Sequence, residues 1–245
     1  MGRSKFYLFL LLVILYATSK ENVVFAQGAD NQLWINYAVT IPINKKWSYG
    51  GDVGLRGFIS NYDWNQILIR PTVTYRINSI FSVSAAIALF STFNKNMGNV
   101  NEFRIHQDVN ARWPETAFGD FFFRVRIEQR FFFFEDNQID NRFNVRLRGL
   151  AGYESPDFRP FQSKRPIYFQ VMYEGFVTPE GNASEVFVNQ TRFDLAFGHR
   201  ISDYFRYELH YIRQSSRLFA EDGLDLAQNI LRIRFFHRIK GKSEK

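Results

Sequence analysis

Cysteine is absent from this chain of 245 residues. Its absence excludes a disulfide framework, a zinc site with thiolate ligands, a thiolate nucleophile and a lipid-modified N-terminal cysteine. Beyond residue 26 the chain also lacks a run of about 18 consecutive apolar residues, so no segment there is suited to a transmembrane helix. Methionine is scarce, with 3 residues, whereas phenylalanine is abundant, with 28. The mean hydropathy is nevertheless −0.26, which favours a fold that alternates apolar and polar positions.

The first 26 residues have the pattern of a secretory signal peptide. Arg3 and Lys5 supply a positive start, and the apolar run 6–17 that follows is shorter than the ~20 residues of a membrane span. Ala26 and Val24 fit a cleavage site after Ala26, which leaves residues 27–245 as one mature domain. Removing residues 1–26 takes away three basic residues and one acidic residue, so the net charge of +7 falls to +5. Because the protein is exported, we expect no nucleic-acid partner.

Period-two alternation runs through most of the mature chain and indicates strands with two different faces. In residues 102–113, for example, charged and polar side chains occupy the even positions, and mostly apolar ones occupy the odd positions. Such runs match the ~9–11 residues that a tilted strand needs to cross a bilayer. Eleven segments are predicted, at residues 33–42, 47–58, 64–77, 80–92, 101–113, 120–134, 141–154, 166–178, 186–198, 203–213 and 227–239.

The connections between these segments alternate between short turns and longer, more polar loops, which is typical of outer-membrane barrels. The chain is therefore predicted to be all-β, a transmembrane antiparallel up-and-down β-barrel of 10–12 strands. Bacterial single-chain barrels have even strand numbers. Ten or twelve strands are thus expected. Eleven predicted segments then mean that one segment is misassigned or that the first is not a full barrel strand.

Alternation alone does not separate a membrane barrel from a soluble sandwich, but other features favour the membrane. The apolar face is too rich in large side chains for the core of a soluble sandwich. All four tryptophans, Trp34, Trp47, Trp64 and Trp113, lie near strand ends, as an interfacial aromatic girdle requires. The alternating final strand also resembles the C-terminal assembly signal of outer-membrane proteins, although residues 241–245 extend past it. The sequence thus favours a Gram-negative outer membrane over a soluble periplasmic β-protein.

A family resemblance covers nearly the whole mature chain. The stretches Gln32–Tyr37, Pro42–Trp47 and Asp52–Arg56, with the closing Asn229–Phe235, resemble an uncharacterised Gram-negative outer-membrane barrel family, domain-of-unknown-function family 2490. The resemblance implies location and fold. It implies no activity and supplies no catalytic residues.

The sequence contains no recognisable catalytic or metal-binding motif. His106 lies between Arg104 and Asp108, and His210 shares a face with Glu208. A lipid hydrolase would need a serine within hydrogen-bond reach of one of these histidines, and no motif supplies one. We therefore expect no enzyme activity, no cofactor and no metal. We expect both histidines to pair with carboxylates.

The polar face is rich in arginine. Successive side chains of a strand point to opposite faces, so the even or odd position of a residue, its parity, indicates which face it occupies. Parity places fifteen arginines and eight carboxylates inward. Two interpretations remain open: a lumen filled by arginine–carboxylate networks, or a narrow electropositive pore that favours anions. The residues singled out as lining the lumen are Arg104, His106, Asp108, Arg124, Arg126, Glu128, Arg146, Arg148, Arg192, Asp194, Glu208, His210, Arg232 and Arg234.

The sequence thus predicts an outer-membrane barrel with a structural role or a role as a small-solute channel. A lipid-modifying enzyme that uses a lumen or rim histidine and a soluble periplasmic binding protein are the alternatives. The expected partners are outer-membrane lipids, the barrel-assembly machinery during biogenesis and small anionic solutes.

Overall fold

The computed structural model describes residues 31–60, 63–95, 98–113, 116–136, 139–160, 164–178, 190–217 and 225–240. No helix in these ranges is long and apolar enough to cross a membrane. The predicted signal peptide, residues 1–26, lies outside the described residues. The described residues form eleven strands: β1 (Gln32–Pro42), β2 (Trp47–Phe58), β3 (Trp64–Arg76), β4 (Phe81–Asn94), β5 (Val100–Arg112), β6 (Asp120–Phe134), β7 (Arg142–Glu154), β8 (Ile167–Val177), β9 (Gln190–Arg200), β10 (Phe205–Arg217) and β11 (Asp225–Arg238).

The strands form one closed barrel in which each strand pairs with its neighbours in sequence and β11 pairs with β1. The prediction of a closed all-β barrel is confirmed. The prediction of an even strand number is wrong, because all eleven alternating segments form strands. Successive strands reverse direction, so the first and last of an odd number run the same way. The β1–β11 pair is accordingly parallel, whereas every other pair is antiparallel.

Most strand limits agree with the alternation pattern to within two residues, but β9 and β10 differ. The ninth segment was predicted at residues 186–198, whereas β9 spans Gln190–Arg200; residues 186–189 lie outside the described ranges. The tenth was predicted to end at residue 213, whereas β10 continues to Arg217. The additional residues of β10 are polar, which weakened the alternation signal there.

The outer wall is mainly apolar, and most of its aromatic side chains lie near the rims, although Tyr37, Tyr173 and Tyr211 are exposed at mid-strand. Exposed aliphatic residues such as Val53, Ile69 and Leu89 occupy the middle of the wall. Near the rim that carries the short turns, aromatic side chains of neighbouring strands contact one another, as in Trp47–Tyr75, Phe121–Tyr153 and Phe205–Phe235. Near the opposite rim Phe103, Phe131 and Phe143 do the same.

Candidate functional site: the arginine-rich lumen

The polar face of every strand points into the barrel, where it surrounds a cavity of about 1090 Å³. The lining includes Asn78 from the β3–β4 turn at one rim and Trp64 from the opposite rim. The cavity therefore extends along the length of the barrel. All fourteen residues that the sequence singled out for the lumen face the interior. Nine of them are buried, namely Arg104, His106, Asp108, Arg126, Glu128, Arg148, Asp194, Glu208 and His210, and the other five, Arg124, Arg146, Arg192, Arg232 and Arg234, border the cavity.

Glu128 on β6 is the centre of an ion-pair network. Its carboxylate is fully buried and has four guanidinium groups around it. Arg146 and Arg148, both on β7, approach its oxygens to 2.6 and 2.8 Å. Arg104 on β5 and Arg126 on β6 lie 3.3 and 3.6 Å away. The planar guanidinium group can bond two carboxylates at once, which allows these arginines to link Glu128 to further acids.

Three more carboxylates extend this network along the wall. Arg126 donates two hydrogen bonds to Asp108, at 2.6 and 2.8 Å. Arg148 donates to Glu174, which also accepts from Arg124 at 2.6 Å. On the other side, Glu102 accepts hydrogen bonds from Arg104 and from Arg130. We call these residues the central network: Glu102, Arg104, Asp108, Arg124, Arg126, Glu128, Arg130, Arg146, Arg148 and Glu174.

A second cluster surrounds His210 on β10. One ring nitrogen lies 2.8 Å from Asp194, and the other lies 3.1 Å from Glu208. Tyr168 on β8 donates a hydrogen bond to Glu208 at 2.7 Å, so its ring crosses over β9. Gly198, which stands opposite Tyr168 on β9, makes this possible, because a Cβ atom at that position would overlap the tyrosine ring.

Within the described part of the chain, neither histidine that the sequence singled out pairs with a serine nucleophile. No serine in the described ranges hydrogen bonds to His210 or His106. His106 is buried, and its Nδ1 has no hydrogen-bond partner among the described residues. The described residues also contain no group of three or more His, Asp or Glu residues arranged to hold a metal ion.

Two of the four tryptophans lie inside the barrel, which corrects their predicted place in an outer girdle. Trp34 on β1 is buried, and its indole N–H donates to Gln32. Trp64 borders the cavity beside Phe58. Position near a strand end suggested the girdle, but parity controls the direction of a side chain, and both residues share the parity of their inward neighbours. Trp47 and Trp113 are exposed, the former on the outer wall.

Several interior aromatic rings support guanidinium groups, a role that the sequence reasoning did not assign. The guanidinium carbons of Arg56 and Arg104 lie 4.2 Å from the ring centres of Trp34 and Phe90, respectively. Arg148 lies 4.6 Å from the ring of Phe176. Such stacking stabilises a cation without neutralising it. The parity of these aromatic residues within their strands is the signal that could have located them.

The surface of the cavity carries a large excess of positive charge. Among the described residues, fourteen arginines border it, against four carboxylates. The carboxylates are Asp52, Glu102, Asp194 and Glu208, and the arginines are Arg56, Arg70, Arg76, Arg104, Arg112, Arg124, Arg126, Arg130, Arg146, Arg148, Arg192, Arg206, Arg232 and Arg234. Glu128, Asp108 and Glu174 do not border the cavity, although their arginine partners do. Guanidinium groups therefore stand between these carboxylates and the cavity, and a solute inside would meet mainly cations.

Comparison with known proteins places the chain in a family without giving it an activity. No curated protein matches the chain. A family model described as "Protein of unknown function (DUF2490)" matches residues 31–225, which run from the residue before β1 to the first residue of β11. The closing stretch Asn229–Phe235 lies beyond that match. Because the match covers well over half of the 245 residues, the chain belongs to the DUF2490 family of proteins of unknown function.

Proposed function

We propose that this protein is an exported, non-enzymatic β-barrel of the Gram-negative outer membrane whose lumen admits small anionic solutes in preference to cations. The observation that carries the proposal is the lengthwise cavity, which fourteen arginines and four carboxylates of the described part of the chain border. Rings of arginine in a pore favour anions, because a cation would be repelled while it loses its hydration shell. A purely structural barrel would need no such excess of one charge.

The outer wall supports membrane insertion. In hydrocarbon every backbone N–H and C=O must be paired internally, and a closed sheet does this without free edges. The outward aliphatic side chains at mid-height, and the concentration of aromatic side chains near both rims, match the layers of a bilayer. At mid-height Gln107 and Gln129 interrupt the apolar wall, but they hydrogen bond to each other at 3.3 Å. As an outer-membrane barrel the protein would contact lipids and, during biogenesis, the barrel-assembly machinery.

Cell fractionation tests the proposed location. The full chain would be produced in a Gram-negative host and followed by mass spectrometry. We expect a product cleaved after Ala26 that sediments with the outer membrane, resists carbonate extraction and migrates differently on gels before and after heating. Recovery of the processed protein from periplasmic fluid without detergent would overturn the location and favour a soluble binding protein.

Solute flux tests the proposed role. Purified barrels would be reconstituted into liposomes that contain a chloride-sensitive dye. We expect chloride to leave these liposomes faster than it leaves protein-free liposomes, and faster than potassium leaves them under a matched gradient. Equal rates with and without protein would contradict the solute pathway and leave a structural barrel.

A further inference from the structure

Arg56 on β2 differs from the other inward-facing arginines. The comparison is with the inward-facing arginines on the described strands that are not exposed at a rim. Of these, Arg56 is the one that forms no ion pair with a described carboxylate. Its Nη1 donates to the neutral side-chain carbonyl of Gln66 at 3.1 Å, and Gln66 in turn donates to Thr92 at 2.8 Å. Its Nε is buried without a hydrogen-bond partner. The guanidinium is thus held in position, and no carboxylate of the described residues neutralises it.

Arg192 on β9, like Arg56, lies against the ring of Trp34 and donates a hydrogen bond to a glutamine side chain. The guanidinium carbon of Arg192 lies 5.2 Å from the centre of the Trp34 ring, and the guanidinium carbon of Arg56 lies 4.2 Å from the same centre. The two carbons are therefore at most about 9.4 Å apart, the distance they would have on opposite sides of the ring. The Nε of Arg192 donates to Gln214, and its Nη1 lies 3.9 Å from Glu174, the nearest described carboxylate.

We infer that Arg56 and Arg192, which we call the Arg56 pair, form a binding site for a phosphate-type oxyanion in the lumen. Arg56 pairs with no described carboxylate, and Arg192 has only Glu174, at 3.9 Å, which also accepts hydrogen bonds from Arg124 and Arg148. The two cations therefore repel each other unless a further anion lies beside them. Both border the cavity, so a solute inside the barrel can reach them. The inference rests on the proposed function and specifies which solute the lumen binds.

The chemistry of the pair favours phosphate over a simple halide. Guanidinium groups present N–H donors in a planar fork that matches the oxygens of phosphate or carboxylate. A dianion with three or four oxygens can neutralise both cations and accept from both forks, whereas a carboxylate carries one charge and two oxygens. A free phosphate and the phosphate group of a larger solute share this chemistry.

Phosphate binding to the folded barrel in detergent micelles tests the site. Inorganic phosphate would be titrated by calorimetry at constant ionic strength, and tryptophan emission would be followed in parallel, because the ring of Trp34, one of four tryptophans, contacts both arginines. We expect saturable binding that Arg56→Gln weakens by about tenfold or more, since a hydrogen bond to a charged group is lost. Arg192→Gln should act in the same direction. Arg76→Gln is the matched control, because Arg76 borders the same cavity but is exposed at the turn rim, and it should leave the affinity unchanged.

Competition distinguishes the possible ligands. Sulfate, which has the same shape, should displace phosphate, and a phosphate monoester that binds at least as tightly would identify a larger solute. The inference is overturned if phosphate shows no saturable binding, or if Arg76→Gln weakens binding as much as Arg56→Gln does. Should Arg56→Gln fail to fold, Arg192→Gln and Arg56→Lys provide the same comparison.

The titration in micelles requires neither membrane insertion nor conduction. If phosphate does not bind but the flux is anion-selective, the inference about the Arg56 pair is rejected and the proposed function is not. If phosphate binds saturably but the barrel conducts no solute flux, the solute pathway is rejected and the binding site is not.

Discussion

Ile35 on β1 lies opposite Ile233 on β11, and the two strands run in the same direction. On its other side Ile35 faces Leu55 of β2 in an antiparallel register. The first strand therefore separates β2 from β11, which run antiparallel to each other and could otherwise pair directly. The barrel contains eleven strands rather than ten because β1 occupies this place.

Cysteine cross-linking tests this closure, and the absence of native cysteine makes the experiment clean. The double variant Ile35→Cys/Ile233→Cys should cross-link efficiently with a short bifunctional reagent and change its mobility on a denaturing gel. Leu55→Cys/Ile233→Cys, whose positions are two strands apart, should not. The reverse result would mean that β2 pairs with β11 and that β1 is not part of the wall.

An arginine placed on the outer wall tests whether that wall faces lipid. Ile69 lies at mid-height on β3 and is 51% exposed, and Ile43 in the β1–β2 turn is 56% exposed. In lipid vesicles Ile69→Arg should lower the free energy of unfolding by about 2–4 kcal/mol, and Ile43→Arg by about 0–1 kcal/mol, because the cost depends on depth in the bilayer. The measurement is urea unfolding followed by tryptophan fluorescence. Equal small costs for both variants would indicate that the wall faces water.

Removing the charge of Glu128 tests the central network. Glu128→Gln leaves four guanidinium groups without their shared carboxylate, so we expect the free energy of unfolding to fall by about 3–5 kcal/mol. Glu135→Gln is the control, because Glu135 is exposed at a rim and bonds to Asn99, and it should change stability by less than about 0.5 kcal/mol. Similar stability of the two variants would contradict the proposed importance of the network.

A methyl group at Gly198 tests the bridge that Tyr168 forms across β9. Gly198→Ala should displace the tyrosine ring and weaken its hydrogen bond to Glu208, at a cost of about 1–3 kcal/mol. At Gly149 a Cβ would meet nothing within 4 Å, so Gly149→Ala should change stability by less than about 0.5 kcal/mol. Comparable midpoints of thermal unfolding for the two variants would show that the ring is not held against Gly198.

Local alternation was sufficient to predict the strands and the direction of most side chains. Arg104, Asp108 and Glu128 could be assigned to the interior because a strand has a period of two, and this holds whatever the barrel's size. The same rule places Trp34 and Trp64 inside, where proximity to a strand end had suggested an outer girdle. Parity was the stronger signal for these two residues.

Contacts across the lumen could not be predicted, because they depend on strand number and on the stagger between strands. Arg192 on β9 reaches Trp34 on β1, and Tyr168 on β8 reaches Glu208 on β10. Neither pair is close in sequence or joined by a motif. The expectation of an even strand number failed for a related reason: alternation within a strand does not determine how the sheet closes.

The zero-current potential of the purified barrel in a planar bilayer tests the central claim most directly. With a tenfold gradient of potassium chloride across the bilayer, the proposed lumen should give discrete conductance steps and a potential whose sign shows that chloride is more permeant than potassium. A potential of the opposite sign, or a bilayer that holds inserted protein without any conductance step, would contradict the account.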